Sequence, residues 1–142
     1  WVDLGTAPQD AWGNRLHYSV EHREYAKKSI GIPDLASYTP PYTGLNLKQI
    51  CSNSACMAFE AIYLPVVVFS HGPNGWGARN VNGNTLKNPT SDDELENTDA
   101  DADFVSRTPS KAEDASGEFD DLVVWISDGV LRSRVCPAGG CP

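Results

Sequence analysis

An α+β fold with a mainly antiparallel β-sheet, long loops and little helix is predicted from three observations. Residues 62–69 and 122–126 lie far apart, yet both are apolar and rich in β-branched side chains, the composition of strands. No strand–helix–strand rhythm joins them, which argues against a parallel sheet. No long amphipathic helix is visible, and the 142 residues fit a single globular domain, 1–142.

Taken in order, residues 1–13 read as loop, with Gly5, Pro8 and Gly13 as breakers. Leu16-His17-Tyr18-Ser19-Val20 alternates apolar and polar, the mark of a half-buried strand with His17 on its polar side. Residues 21–44 are polar and then proline-rich (Pro33, Pro40, Pro41), an irregular excursion with one helical turn expected near Glu24 to Ser29. Leu45, Leu47 and Gln49 share a face of a short strand ending at Ile50 and Cys51. Residues 62–69 are expected to form one strand, with Pro65 near its start and Val66-Val67-Val68-Phe69 central and covered on both faces. Residues 78–118 hold few large apolar side chains and read as a long acidic loop. Leu122-Val123-Val124-Trp125-Ile126 is the last strand, and Ser127 or Asp128 is placed to cap a short helix running through Arg134. A sheet that buries one face needs a cover on it, and no helix in this sequence provides one.

Charge is concentrated rather than spread. The formal net charge is −8, but residues 92–121 carry twelve acids against Arg107 and Lys111, a local −10. The remainder is near balance at +2. A nucleic-acid partner is not expected, because it requires a positive face. No apolar run reaches the ~18–20 residues of a membrane helix. No leader and no initial Met open the chain, which reads as a mature or trimmed fragment.

Cys51, Cys56, Cys136 and Cys141 form two C-x4-C pairs. Four cysteines allow three connectivities, and short-loop pairing is the economical one. Two zinc arms are the rival reading, although the neutral Cys-Pro-Ala-Gly-Gly-Cys loop at 136–141 suits a disulfide better. Disulfides imply an oxidising compartment.

Glu96, Asn97, Asp99, Asp101 and Asp103 present hard oxygens at near-alternate positions, a spacing that can wrap Ca²⁺, which takes oxygens at about 2.3–2.6 Å. The frame is not an EF-hand. A solvated acidic loop is the competing reading. Asp120 and Asp121 precede a strand; one is expected to pair with Arg15 or a nearby loop and the other to face water. Asp10, Trp12 and Gly13 read as a structural turn with an aromatic anchor. Trp76, in a glycine-rich turn, is a candidate contact for a neighbour or ligand, against simple turn packing. Ser70 beside His71 is not a hydrolase signal, since triads are built in space and no G-x-S-x-G elbow is present. No phosphate-binding loop of the G-x-x-x-x-G-K-[ST] kind occurs.

Several segments, in order, resemble a known family. Asp10-Ala11-Trp12-Gly13-Asn14-Arg15-Leu16-His17-Tyr18 is similar to the D-x-W-G-x-x-x-x-Y signature of type IV pilin-like proteins and type II secretion pseudopilins, with Asp10, Trp12, Gly13 and Tyr18 at its fixed positions. Val67 to Gly75 resembles the strand and S-x-G-x-N-G turn of that group. Glu96 to Asp101, Phe104-Val105-Ser106 and Phe119 to Ile126 resemble its acidic loop and final strand.

The resemblance implies a pilin-like head and a non-enzymatic filament subunit, a major or minor pilin. A pseudopilin of a type II secretion system is the alternative. An apolar N-terminal helix would anchor the precursor in the inner membrane, be processed by a prepilin peptidase, and cover the open sheet. The partners would be other pilin-like subunits and the inner-membrane assembly machinery, and the location a bacterial surface filament or the periplasm. Calcium at the acidic loop is also implied, since some pseudopilins bind it there. The two short cysteine loops depart from the single long disulfide loop of many pilins, which leaves the subfamily open. A calcium-dependent adhesin or glycan-binding module using Trp76, Tyr38 and Tyr42 is a further alternative.

Overall fold

The computed structural model describes residues 7–21, residue 25 and residues 44–136. The expected turn near Glu24 to Ser29, Tyr38 and Tyr42, and Cys141 lie outside these, apart from Tyr25. The elements run β1 (His17–Val20), β2 (Lys48–Cys51), β3 (Phe59–Leu64), β4 (Val66–Ser70), α1 (Asp92–Glu96), β5 (Asp103–Val105), β6 (Leu122–Ile126) and α2 (Asp128–Val135). The described chain is thus mostly sheet with little helix. Its strands form two three-stranded sheets, ordered β1-β4-β6 and β3-β2-β5. The first is antiparallel throughout; in the second, β2 pairs antiparallel with β3 and parallel with β5.

The single strand expected over residues 62–69 is two strands in two different sheets. Pro65 is the reason. It has no N–H to continue a ladder, and the chain turns a corner there, with Tyr63 at φ +59°. The Pro65 carbonyl accepts a hydrogen bond from Glu21 N–H at 2.8 Å instead. Beyond the corner, β4 is central as expected and Val67 and Phe69 are buried, but it is not covered on both faces, since Val68 is only half-buried.

One apolar cluster joins the two sheets: Ile50, Leu64, Val67, Phe69 and Phe104, with Ala61 and Val123 against it. The Phe69 and Phe104 rings lie 5.6 Å apart. Burying these five large side chains contributes roughly 1.5–3 kcal/mol each to stability.

The acidic stretch is more ordered than the predicted loop. Ser91 caps α1, its hydroxyl accepting from Glu94 N–H at 3.2 Å. Asp92, Asp93 and Glu94 fill the first turn, where negative charge favours a helix. β5 follows and adds to β2, with Cys51 opposite Val105. At the far end Ser127 caps α2, and Arg132 pairs with Asp128 at 2.7 Å, one turn apart. This is the predicted closing helix, one residue longer.

The alternation of strand side chains leaves one sheet face open. Val67 and Phe69 point into the core, so Val68 points away from it, with Tyr18 and Val124 as its cross-strand partners. Leu122 (50% exposed), Val124 (62%) and Ile126 (38%) line the β6 side of that face. Asp10, Trp12, Leu16 and Val68 complete an apolar groove of about 280 Å³ with Leu122 and Val124. No described residue covers it.

Candidate functional site

The end of β4, the start of β6 and helix α1 converge on one polar centre. The turn after β4 begins with Ser70, whose hydroxyl donates to Asp10 at 2.6 Å and accepts from Gly72 N–H. Asp10 also accepts from the Trp12 and Asn14 N–H groups, and Gly13 takes φ +86°. The Asp10-Trp12-Gly13 motif is therefore a turn that is tied to the sheet. Tyr18 contributes to the open face instead. The Ser70 hydroxyl donates to Asp10 rather than to His71, and neither His71 ring nitrogen has a well-formed hydrogen bond. His71 is 1% exposed and stacks among Phe69 and His17. Burial, reinforced by His17, pulls its pKa down to about 4, so the ring is neutral near pH 7.

Past Gly72, the side chain of Asn74 reaches helix α1. Its amide donates to Glu94 Oε1 at 3.3 Å, and its backbone N–H donates to Asp120 Oδ2 at 3.0 Å. Asp120 N–H donates to the same Glu94 Oε1. Glu94, only 1% exposed, thus crosslinks α1 to both the β4 turn and the β6 entry. Asp121 is 4% exposed and accepts from the Asn97 amide at 2.8 Å.

Carboxylate oxygens of Glu94, Asp120 and Asp121 lie within 4.8 Å of one another. This is an expensive arrangement for bare anions. Burial raises the pKa of all three, and neighbouring carboxylates add to it, Asp120 and Glu118 at Glu94, Glu118 at Asp120, and Glu94 and Asp120 at Asp121, which reaches about 7. Glu94 Oε2 and Asp120 Oδ1 are buried with no hydrogen-bond partner. A hard cation fits these residues. Oxygens about 2.3–2.6 Å from a shared ion sit up to roughly 5 Å apart, and three carboxylates suit Ca²⁺ better than Mg²⁺, which usually takes one or two.

The sequence-predicted calcium loop is only partly assembled. Glu96, Asp101 and Asp103 come within 4.8 Å of one another in a second, more exposed group. Asn97 turns into the core: its amide donates to Val105 C=O and Asp121, and its oxygen accepts from Val105 N–H. Asp99 accepts from Asp101 N–H, Asp101 from Asp103 N–H, and Asp103 from the Gln49 amide at 2.7 Å. One oxygen of each is engaged by these bonds, and none is both buried and unpartnered.

The expectations for Asp120 and Asp121 hold in part: Asp120 accepts from Asn74 N–H in the nearby turn after β4. Neither pairs with Arg15, whose guanidinium reaches the Val81 carbonyl, and Asp121 does not face water. Glu94 went unrecognised as a site residue. The signal was the capping box Ser91-Asp92-Asp93-Glu94, which announces a helix start and so a fixed direction for Glu94. Trp76 packs in its turn, half-buried, with Lys87 Nζ 4.5 Å from its ring centre.

Cys51 and Cys56 are joined, as expected, with Cα atoms 5.0 Å apart. Cys136 is also disulfide-bonded. No free cysteine occurs among the described residues. The 51–56 loop docks on α1 through Ser54 N–H, which donates to Asp93 at 2.8 Å. The other Asp93 oxygen accepts from Arg107 at 2.6 Å.

No family model, curated protein or solved structure matches this chain. No helix among the described residues is long and apolar enough to cross a membrane.

Proposed function

We propose that this chain is the head of a type IV pilin-like filament subunit, a major or minor pilin, and that it works by assembly rather than catalysis. The open apolar face of the β1-β4-β6 sheet carries this reading. Tyr18, Leu122, Val124 and Ile126 are exposed on it, with Val68 between them half-buried. Such a face calls for an apolar cover. The motif resemblance supplies its identity, an N-terminal helix that anchors the precursor in the inner membrane before a prepilin peptidase acts. The order of the resembling segments supports the same reading. A pseudopilin of a type II secretion system uses a head in the same way.

The cation belongs to this proposal, at Glu94, Asp120 and Asp121. When bound it would neutralise three buried carboxylates and hold α1 against the β4 and β6 ends. Asn74 orients Glu94 and Asp120 toward that centre.

Deletion of the encoding gene, followed by electron microscopy of surface filaments and assays of twitching and secretion, tests the function. Loss of filaments or of secretion is expected, restored by the intact gene and not by one encoding Val124→Arg. Unchanged filaments, motility and secretion would overturn the proposal.

A further inference from the structure

Two consecutive side chains of α1 face two different structures. Glu94 enters the carboxylate centre, while Asp93 holds the loop closed by the Cys51–Cys56 disulfide through Ser54 N–H. We propose that a cation at Glu94, Asp120 and Asp121 and the Cys51–Cys56 disulfide stabilise each other through α1. This rests on the reading of those three carboxylates as cation ligands.

A second connection runs in parallel. Asn97, the residue that ends α1, binds Asp121 on one side and both backbone groups of Val105 on the other. Val105 lies opposite Cys51 in the β2–β5 ladder, and Ser106 N–H donates to the Cys51 carbonyl at 3.0 Å. The disulfide loop and the carboxylate centre therefore both hold the same short helix. A five-residue helix has little stability of its own, so its position depends on both grips.

The element that reduction would release is the 52–56 loop. Cys56 sits at φ +49°, a conformation unfavourable for a residue other than glycine. The covalent tether holds it there. A dithiol reductant breaks the S–S bond by supplying two electrons and two protons; two thiols form and the reductant leaves as its own disulfide. The loop then relaxes, Ser54 N–H leaves Asp93, and α1 loses one of its anchors, while Arg107 still holds Asp93. Glu94 is no longer held in register with Asp120 and Asp121, and the cation is bound more weakly. Linkage is reciprocal, so the bound cation must shift the reduction equilibrium of the disulfide toward the oxidised form by the same factor.

Isothermal titration of the 142-residue chain with calcium chloride tests this. The wild type is compared with Cys51→Ser/Cys56→Ser and with the control Cys136→Ser/Cys141→Ser. An affinity about tenfold weaker in the first variant and unchanged in the control is expected, a coupling typical of linked sites. Equal affinity in all three overturns the coupling and leaves the cation site standing. Absence of binding to the wild type at millimolar calcium overturns the site and the coupling together. Should the first variant not fold, dithiothreitol reduction of Cys51–Cys56 in the wild type, followed by mass spectrometry, gives the second measurement. An equilibrium dithiol-to-disulfide ratio about tenfold lower in calcium than in chelator, at one fixed ratio of reduced to oxidised dithiothreitol, is expected, and equal ratios overturn the proposal.

Discussion

The Asn97 amide donates to the Asp121 carboxylate at 2.8 Å, fastening the end of helix α1 to the start of strand β6. Both side chains are buried, and Asn97 makes two further hydrogen bonds to Val105. Asn97→Ala leaves Asp121 and both Val105 backbone groups without these partners. Thermal or urea unfolding is expected to show a loss of about 2–3 kcal/mol. Asn97→Asp should be worse at neutral pH, because it places a second carboxylate against Asp121, and should recover on acidification.

Calcium should raise the melting temperature of the wild-type chain. At a hundredfold excess over its dissociation constant the stabilisation is about 2.7 kcal/mol, or several degrees for a domain of this size. Glu94→Gln and Asp121→Asn should abolish the shift in differential scanning fluorimetry. Asp99→Ala should retain it, since Asp99 serves its own turn and stands outside both carboxylate groups. The opposite ranking would return the cation to the 96–103 loop.

Acid should weaken the fold through His71. Its pKa is about 4 when folded, against an ordinary value of 6.5. The unfolded chain therefore takes up a proton between about pH 6.5 and 4 that the folded chain refuses, and stability falls with pH across that window. The upper bound is about 3 kcal/mol. His17 faces His71 at 5.4 Å and strengthens the effect; Asp10 and the Trp76 backbone oppose it. Asp121 acts in the reverse sense. Its folded pKa of about 7 lies above its usual value, so its contribution is present in acid and lost as pH rises toward 7. Unfolding of Asp121→Asn in chelator, from pH 4 to 7, should expose the His71 slope, and adding His71→Leu should flatten it.

Gly72 should not tolerate a side chain. It takes φ +61°, and a Cβ there would run into the Asp120 backbone carbonyl. Gly83 takes φ +86° but has open space around it. Gly83→Ala is expected to cost only the backbone term, ~1–2 kcal/mol. Gly72→Ala should cost clearly more in the same denaturant titration, and equal costs would argue that the 72–120 approach is loose.

The legible parts of this fold were local. The β-branched runs of β4 and β6 and the Ser127 cap of α2 announce themselves by composition and position. Pro65 was visible, but its effect was not: whether a proline starts a strand or turns the chain between sheets depends on what the next segment pairs with. β5 is three residues long and joins β2 in parallel from more than fifty residues away, which no periodicity reveals. The carboxylate centre was hidden for a related reason. Alternate spacing along 96–103 marks residues near in sequence, whereas Glu94 and Asp120–Asp121 meet only because α1 and β6 fold together.

The open face of the β1-β4-β6 sheet can be tested with a single thiol. Val124 is 62% exposed at the centre of the β6 side of that face, and no described cysteine is free to compete. Val124→Cys is introduced into the 142-residue chain and into the encoding gene, and maleimide labelling is followed in the free chain and in the filaments that the proposed function calls for. Rapid labelling of the free chain and strong protection in filaments are expected if an apolar helix covers the face. Equal labelling in both would contradict it.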